Sequence, residues 1–242
     1  MRKITINKSF IGAILLLCFG NITNAQESKG KRLYSGQLQG IAYLAYPTGT
    51  KIKAEAISPK ELGYQYPESL MQSIMSCTNA EWESYHTFGG RENADIKSAE
   101  HYAYIKSMNK DKNYFELKHK FEFVVMGVST ATVKFYLITE QSPQLQAGVV
   151  TMQKIDGRWQ KCPMKMFSKI SMTALRLQSG VLEKIISQDQ SDKFLRFIHQ
   201  KVFDGQTLNF DKLAAEVDSW YMEENKANQE MKNYFKDPNS LF

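Results

Sequence analysis

The sequence predicts an α+β fold, with N-terminal helices packed on a curved antiparallel four-stranded meander, followed by a helical C-terminal region. Apolar and charged side chains alternate from Tyr114 to Met126, which indicates a long half-buried strand. The pair Asp156-Gly157 separates two further β-rich segments and favours a tight hairpin, because both positions tolerate positive φ. After about Phe167 the apolar residues recur at helical spacing.

The first 25 residues have the pattern of a cleaved secretory signal. Three basic residues precede an apolar run at positions 10–19, and small residues lead to a predicted cleavage site between Ala25 and Gln26. The run is about half of the roughly 20 residues that a membrane-spanning helix needs. Cys18 follows Leu17, whereas a lipobox needs a small residue there. We therefore expect an exported protein, periplasmic or secreted, with no transmembrane helix after cleavage.

The composition of the mature chain excludes a disordered protein and does not favour nucleic-acid binding. Hydrophobic residues make up 43% of the sequence. Residues 1–25 hold three of the 31 basic residues and none of the 25 acidic ones, so the mature chain has a net charge of only +3. Basic and acidic residues are interleaved, which is typical of a solvated face. No nucleic-acid partner is expected.

The segment before the long strand contains a predicted hairpin and three predicted helices. Segments 37–46 and 50–57 are rich in β-formers, and Pro47-Thr48-Gly49 between them has turn chemistry. Pro67 suits the first turn of a helix, Asn79 suits the cap of a second, and helical spacing continues from Ile96 to Met108.

The long strand is expected to bury one face and expose the other. Its predicted buried row is Phe115, Leu117, His119, Phe121, Phe123 and Val125, and its predicted solvent row is Glu116, Lys118, Lys120 and Glu122. Segments 131–140, 145–155 and 158–164 supply the other three strands, with a break expected at Ser142-Pro143.

The domain organisation follows from these elements. Residues 1–25 form the signal peptide, residues 26–165 form an α+β domain with its N-terminal hairpin, and residues 166–242 form a helical C-terminal extension. Within the extension, a helix interrupted near Gly180 is followed by helices around Ile198 and Val217 and by a short helix near the C-terminus.

Helices followed by a long antiparallel meander that ends in the hairpin Asp156-Gly157-Arg158-Trp159 resemble the NTF2-like, cystatin-like α+β cone. The resemblance covers residues 64–165 and rests on element order and hairpin type. It implies either a pocket enzyme, such as a dehydratase or isomerase, or an exported protein without catalytic residues. In the enzymes, an Asp and a His line the cone; only His119 matches here, and no partner Asp can be assigned.

Two cysteines remain after signal cleavage, Cys77 and Cys162. An even number of cysteines in an oxidising compartment is compatible with a disulfide. A bond between them would stabilise the fold by about 4 kcal/mol in the chain-entropy model. Two buried free thiols are the alternative, because sequence does not reveal whether the two Cα atoms come within about 7 Å.

The candidates for chemistry are few. No nucleophile elbow, zinc-protease helix, phosphate-binding loop or calcium loop is present. His119 is the candidate general base, with a satisfied core histidine as the more ordinary interpretation. Trp82 is a candidate ligand platform, although packing is its commoner role.

Glu83 and His86 could share a metal at i and i+3 spacing, but the other candidate ligands, Glu100 and His101, have no ligand spacing to them. We therefore expect no metal and no cofactor.

The function most compatible with these features is non-enzymatic. We expect an exported ligand-binding or envelope-accessory protein whose partner is an unknown small molecule or an envelope protein. The alternative is an NTF2-like pocket enzyme of dehydratase or isomerase type that uses His119 as its base.

Overall fold

The computed structural model describes residues 39–56, 58–205, 207–224 and 233–235, and within them the fold is α+β with a mostly antiparallel sheet, as predicted. The predicted signal peptide lies outside these residues. The helices are α1 (Pro67–Ser76), α2 (Ala80–His86), α3 (Ala99–Ser107), α4 (Ser168–Arg176), α5 (Val181–Ile186), α6 (Lys193–Val202) and α7 (Phe210–Glu224). The strands are β1 (Gln39–Ala45), β2 (Lys51–Lys53), β3 (Tyr114–Val125), β4 (Val128–Thr139), β5 (Ser142–Ile155), β6 (Arg158–Lys161), β7 (Phe203–Asp204) and β8 (Thr207–Leu208).

The main sheet has the order β1-β3-β4-β5-β6, and β2 also pairs with β3. All of its strand pairs are antiparallel. The turn between β5 and β6 is the predicted one, with φ of 49° at Asp156 and 76° at Gly157. The chain turns at residues 140–141, so the break expected at Ser142-Pro143 is wrong. Pro143 lies where the β4–β5 register shifts, and an irregular ladder tolerates a residue without an amide proton.

The N-terminal hairpin is also wrong, because β1 and β2 do not pair with each other. Both run antiparallel to β3, one after the other along the same edge. The amide of Tyr46 donates to Lys118, and Thr50 accepts from the amide of Leu117, so both ends of the intervening loop stay on β3. The chain therefore loops out from β3 at Pro47 and then continues in the same direction. The two segments form one interrupted edge strand.

A β-bulge at Lys118 divides the long strand and corrects its predicted single buried face. Leu117 lies opposite Phe135 and His119 lies opposite Lys134, so β3 advances two residues while β4 advances one. Because side chains alternate along a strand, the extra residue moves the following odd-numbered side chains to the other face. The alternation of burial itself is as predicted, since every second residue of β3 is buried.

Both faces of the sheet are covered by helices. Phe115 and Leu117 belong to an apolar cluster with Leu70 and Met71 of α1. Phe121, Phe123 and Val125 belong to a second cluster, which they share with the C-terminal helices α4 to α7. An antiparallel sheet with one solvated face was expected, but the C-terminal helices bury that second face.

Local sequence explains where the helices begin. Pro67 stands at the start of α1, and the side chain of Asn79 accepts from the amide of Trp82 at the start of α2. Asp192 caps α6 in the same way, by accepting from the amide of Leu195. Gly180, with φ of 89°, separates α4 from α5, which confirms the predicted interruption. Within the described ranges, no helix has the length and apolar character that crossing a membrane requires.

Lys120 was expected in the solvent row, but the bulge turns it toward α1. Its side chain is 11% exposed, and its ammonium lies 2.9 Å from Glu68 and 3.0 Å from Glu122. The hydroxyl of Tyr46 also donates to Glu68. Burial opposes ionisation of Glu68, but the charge of Lys120 and the bond from Tyr46 outweigh it, so the pKa of Glu68 falls below its usual value. This ion pair joins the sheet to the first helix.

We expect Phe121→Ala to lower the free energy of unfolding by about 3–5 kcal/mol, because it leaves a cavity in the cluster under the C-terminal helices. Phe121 is fully buried, whereas Tyr66 is 63% exposed. Tyr66→Ala is the matched control and should cost less than about 0.5 kcal/mol. Urea unfolding of both variants measures the difference, and equal losses would contradict the assignment of the buried face.

Glu68→Gln tests the ion pair through its pH dependence. A carboxyl with a lowered folded pKa stabilises the fold above its unfolded pKa, and the contribution disappears as the pH falls through the folded pKa. We expect the variant to lose about 1–2 kcal/mol at pH 7, a value discounted for partial solvent exposure, and to match the wild type once the wild-type carboxyl is protonated. Urea unfolding across this acid range measures the effect. Glu92→Gln, on an exposed residue, should follow the wild type; a loss independent of pH in Glu68→Gln would contradict the ion pair.

Candidate functional site

His119, the candidate base, lies in the interior of the protein. It is 1% exposed, and its ring centroid is 5.4 Å from that of Tyr43. Its partner across the sheet is Lys134, which is fully buried and donates to the carbonyl of Leu177 at 2.6 Å. His119 does not line any of the three cavities described below. The structure therefore places it in the packed interior between the sheet and the C-terminal helices.

Trp82, the candidate ligand platform, is 6% exposed and takes part in a buried polar network. Its indole Nε1 donates to the hydroxyl of Ser73 at 2.7 Å. The hydroxyl of Tyr64 lies 2.7 Å from the same Ser73 oxygen, and Nδ1 of His86 lies 3.0 Å from it. Ser73 of α1 is thus the common partner of three side chains, two from α2 and one from the segment that precedes α1.

Glu83 extends this network to the sheet. Nε2 of His86 lies 3.3 Å from Oε1 of Glu83, and the ammonium of Lys161 on β6 donates to the same oxygen. Burial opposes ionisation of Glu83, but the contact with His86 and the charge of Lys161 lower its pKa to about 2. Burial also lowers the pKa of His86, although Glu83 opposes this. At neutral pH the network therefore contains a carboxylate and a neutral imidazole.

These ionisation states fix the direction of the hydrogen bonds. Nε2 of His86 lies 3.3 Å from the Glu83 carboxylate without the alignment of a hydrogen bond, and the negative charge there favours the ring proton on Nε2. Nδ1 then accepts from the hydroxyl of Ser73. The two lone pairs of that hydroxyl accept from Trp82 and Tyr64, so its one proton and both lone pairs are used. Every contact around Ser73 has one donor and one acceptor.

Cys77 adds a third possible metal ligand beside Glu83 and His86. The ligand atoms of the three residues lie within 4.8 Å of one another, and all three residues are buried. The thiol donates weakly to the carbonyl of Asn79. Burial and the nearby charge of Glu83 raise its pKa to about 12. The i and i+3 spacing of Glu83 and His86 is visible in the sequence, whereas Cys77 joins them only through the turn between α1 and α2.

The two cysteines are free in the structure and lie in different clusters. Cys77 packs with Trp82 and Tyr102, whereas Cys162 packs with the C-terminal helices. Burial raises the pKa of Cys162 to about 12 as well. Both thiols are therefore protonated and unreactive at neutral pH.

One cavity lies between the start of α2 and one face of α3, and we call it the α3 cavity. Its volume is about 410 Å³, and it is shallow, more open to solvent than enclosed. Ala99, Tyr102, Ala103 and Lys106 line it at the spacing of one helical face. Asn79, Ile96 and Lys97 are among the residues on its other side. A cavity of about 230 Å³ adjoins Trp82 and Tyr85, and one of about 130 Å³ adjoins Gly180.

Comparisons with protein-family models, with curated proteins and with solved structures find no match for this chain. Ser73 is fully buried and Cys77 is 4% exposed with a protonated thiol, so neither side chain is presented to a substrate as a nucleophile. The arrangement around Ser73 and His86 can orient helices and can offer ligand atoms to an ion.

Ser73→Ala tests the role of this network. The substitution leaves three buried polar groups, on Tyr64, Trp82 and His86, without their partner. We expect the free energy of unfolding to fall by about 2–4 kcal/mol, as measured by urea unfolding. The control is Ser84→Ala, where a half-buried hydroxyl bonds only the carbonyl of Ala80 and should contribute less than about 0.5 kcal/mol. Equal losses would show that the network adds nothing to stability.

Proposed function

We propose that this protein is exported and acts by binding, with a small organic anion as the ligand of the α3 cavity. The observation that carries the proposal is the cavity itself, which combines about 410 Å³ of space with an apolar wall and a lysine at its rim. Volumes of this size suit a small molecule with an apolar body and a few polar groups.

The charge of the lining favours an anion. Lys97 is already paired with Asp95, whereas Lys106 has no ion-pair partner among the described residues. The remaining wall from α3 consists of Ala99, Ala103 and the ring of Tyr102. A carboxylate or sulfonate could pair with Lys106 while its apolar part covers these side chains.

The surroundings of the cavity support binding more than catalysis. On α2, which borders the cavity, Glu83 and His86 are 5% and 0% exposed and lie against each other. A general acid or base has to reach the proton that it transfers. The lining offers mainly packing surface, the ion-paired Lys97, and Lys106 without an ion-pair partner among the described residues.

The proposed function also includes export of the protein and a cone-shaped arrangement of its sheet and N-terminal helices. The signal pattern of residues 1–25 supports export to the periplasm or beyond the cell. We propose that N-terminal helices on a curved meander form an NTF2-like cone, to which the C-terminal helices are added. Support comes from the consecutive antiparallel order of β3 to β6 and from the helices on the Phe115 side of the sheet.

The pocket-enzyme alternative would need a substrate to approach His119. That ring is 1% exposed, and it faces Tyr43 and the strand that carries Lys134. Burial at this depth supports a structural histidine, so binding remains the proposed activity.

The test uses 8-anilinonaphthalene-1-sulfonate as an anionic probe with an apolar body, titrated against the mature protein and followed by fluorescence. We expect Lys106→Glu to weaken binding about tenfold, since it exchanges an attraction for a repulsion. Ala103→Trp should abolish binding by filling the cavity, and Ala103 is exposed, so the fold should tolerate it.

Lys193→Glu is the matched control, because it makes the same charge change at an exposed position of α6. The affinity of this variant for the probe should stay within about twofold of the wild-type value. Thermal melts establish that each variant is folded. Equal affinities in Lys106→Glu and Lys193→Glu, or full binding in Ala103→Trp, would contradict the proposed site.

A further inference from the structure

We propose that Cys77, Glu83 and His86 form a zinc site, with one ligand atom from each side chain. The site goes beyond the proposed function, since these three residues are buried and do not line the α3 cavity.

The donor set fits zinc. A thiolate, an imidazole nitrogen and a carboxylate oxygen are the three kinds of protein ligand that zinc takes, and three such ligands with a water in the fourth position are typical of its open sites. Ligand atoms around tetrahedral zinc lie roughly 3.3–3.8 Å apart, given bonds of about 2.0–2.3 Å. The three atoms here lie within 4.8 Å of one another, so closing on an ion requires movements of about 1 Å or less.

Local structure holds the three donors together. Cys77 ends α1, and Asn79 begins α2 two residues later by accepting from the amide of Trp82. Glu83 and His86 then follow at i and i+3 on one face of α2. The short turn and the cap thus set the angle between the two helices that carry the ligands, and the fold provides the site before an ion arrives.

The residues around the donors can support a bound ion. Histidine ligands of zinc usually bond a second group through their other ring nitrogen, and here that group is the Ser73 hydroxyl at Nδ1. When zinc takes Nε2, the ring proton moves to Nδ1 and donates to Ser73, which then donates to the Tyr64 hydroxyl. The chain of hydrogen bonds can reverse its direction because each hydroxyl in it both donates and accepts.

The charge balance assigns a role to Lys161. Binding releases the thiol proton of Cys77 to solvent, so one Zn²⁺ ion adds a net charge of +1 to a site where Glu83 and Lys161 now neutralise each other. The Lys161 side chain is 20% exposed and can turn toward water. This ammonium therefore competes with the ion for Glu83, and Lys161→Met should bind zinc more tightly than the wild type.

The experiment titrates Co²⁺, as a spectroscopic substitute for zinc, into the reduced, metal-free mature protein and then displaces it with Zn²⁺. We expect one equivalent to bind, with a sulfur-to-cobalt charge-transfer band and the visible bands of tetrahedral cobalt. Cys77→Ser should lose the charge-transfer band. Ser73→Ala should weaken the affinity for the metal about tenfold or more, and His86→Gln should weaken it further. Cys162→Ser and Glu81→Gln are the controls and should match the wild type.

X-ray absorption at the zinc edge of the wild-type complex gives a result that needs no variant to fold. One sulfur at about 2.3 Å with nitrogen and oxygen neighbours at about 2.0–2.2 Å would support the site. Failure of the folded wild type to bind an equivalent of metal would overturn the proposal, as would a zinc shell without sulfur or a normal cobalt band in Cys77→Ser. Loss of the band in Cys162→Ser alone would place the metal elsewhere and would also overturn it.

Discussion

The β-bulge at Lys118 is the constraint on which the architecture depends. It allows one alternating strand to supply large apolar side chains to both faces of the sheet, with Leu117 toward α1 and Phe121 toward the C-terminal helices. The edge strand opposite the bulge is interrupted at the same level, where Tyr46 bonds Lys118 and Thr50 bonds Leu117. Without the extra residue, Phe121 and the side chains beyond it would face α1, and the C-terminal helices would lose their apolar contact.

The bulge also explains why charges are buried beside the first helix. By turning Lys120 toward α1, it brings an ammonium under Glu68 and makes a half-buried ion pair instead of two solvated charges. A second polar connection, from Ser73 through His86 and Glu83 to Lys161, ties α1 and α2 to β6. Such connections contribute orientation as well as energy, because each bond has a fixed direction and distance.

The proposed binding cavity and the proposed zinc site lie on either side of the start of α2. Asn79 lines the cavity, caps α2 and accepts weakly from the thiol of Cys77 through its carbonyl. Tyr102 similarly lines the cavity and packs with Cys77. Asn79 and Tyr102 are therefore common to the surroundings of both proposed sites.

The sequence by itself determined the α+β class, the alternation of burial in β3, the Asp156-Gly157 turn, the cap at Asn79 and the interruption at Gly180, because each depends on residues close together in the chain. It did not determine the pairing partner of β1, the face on which Lys120 lies or the third donor beside Glu83 and His86. The tertiary structure decided these features, since they depend on which elements meet. One edge of β3 pairs with both β1 and β2, and one unpaired residue reverses the faces of that strand. Cys77 approaches His86 only when the capped turn brings α1 and α2 together.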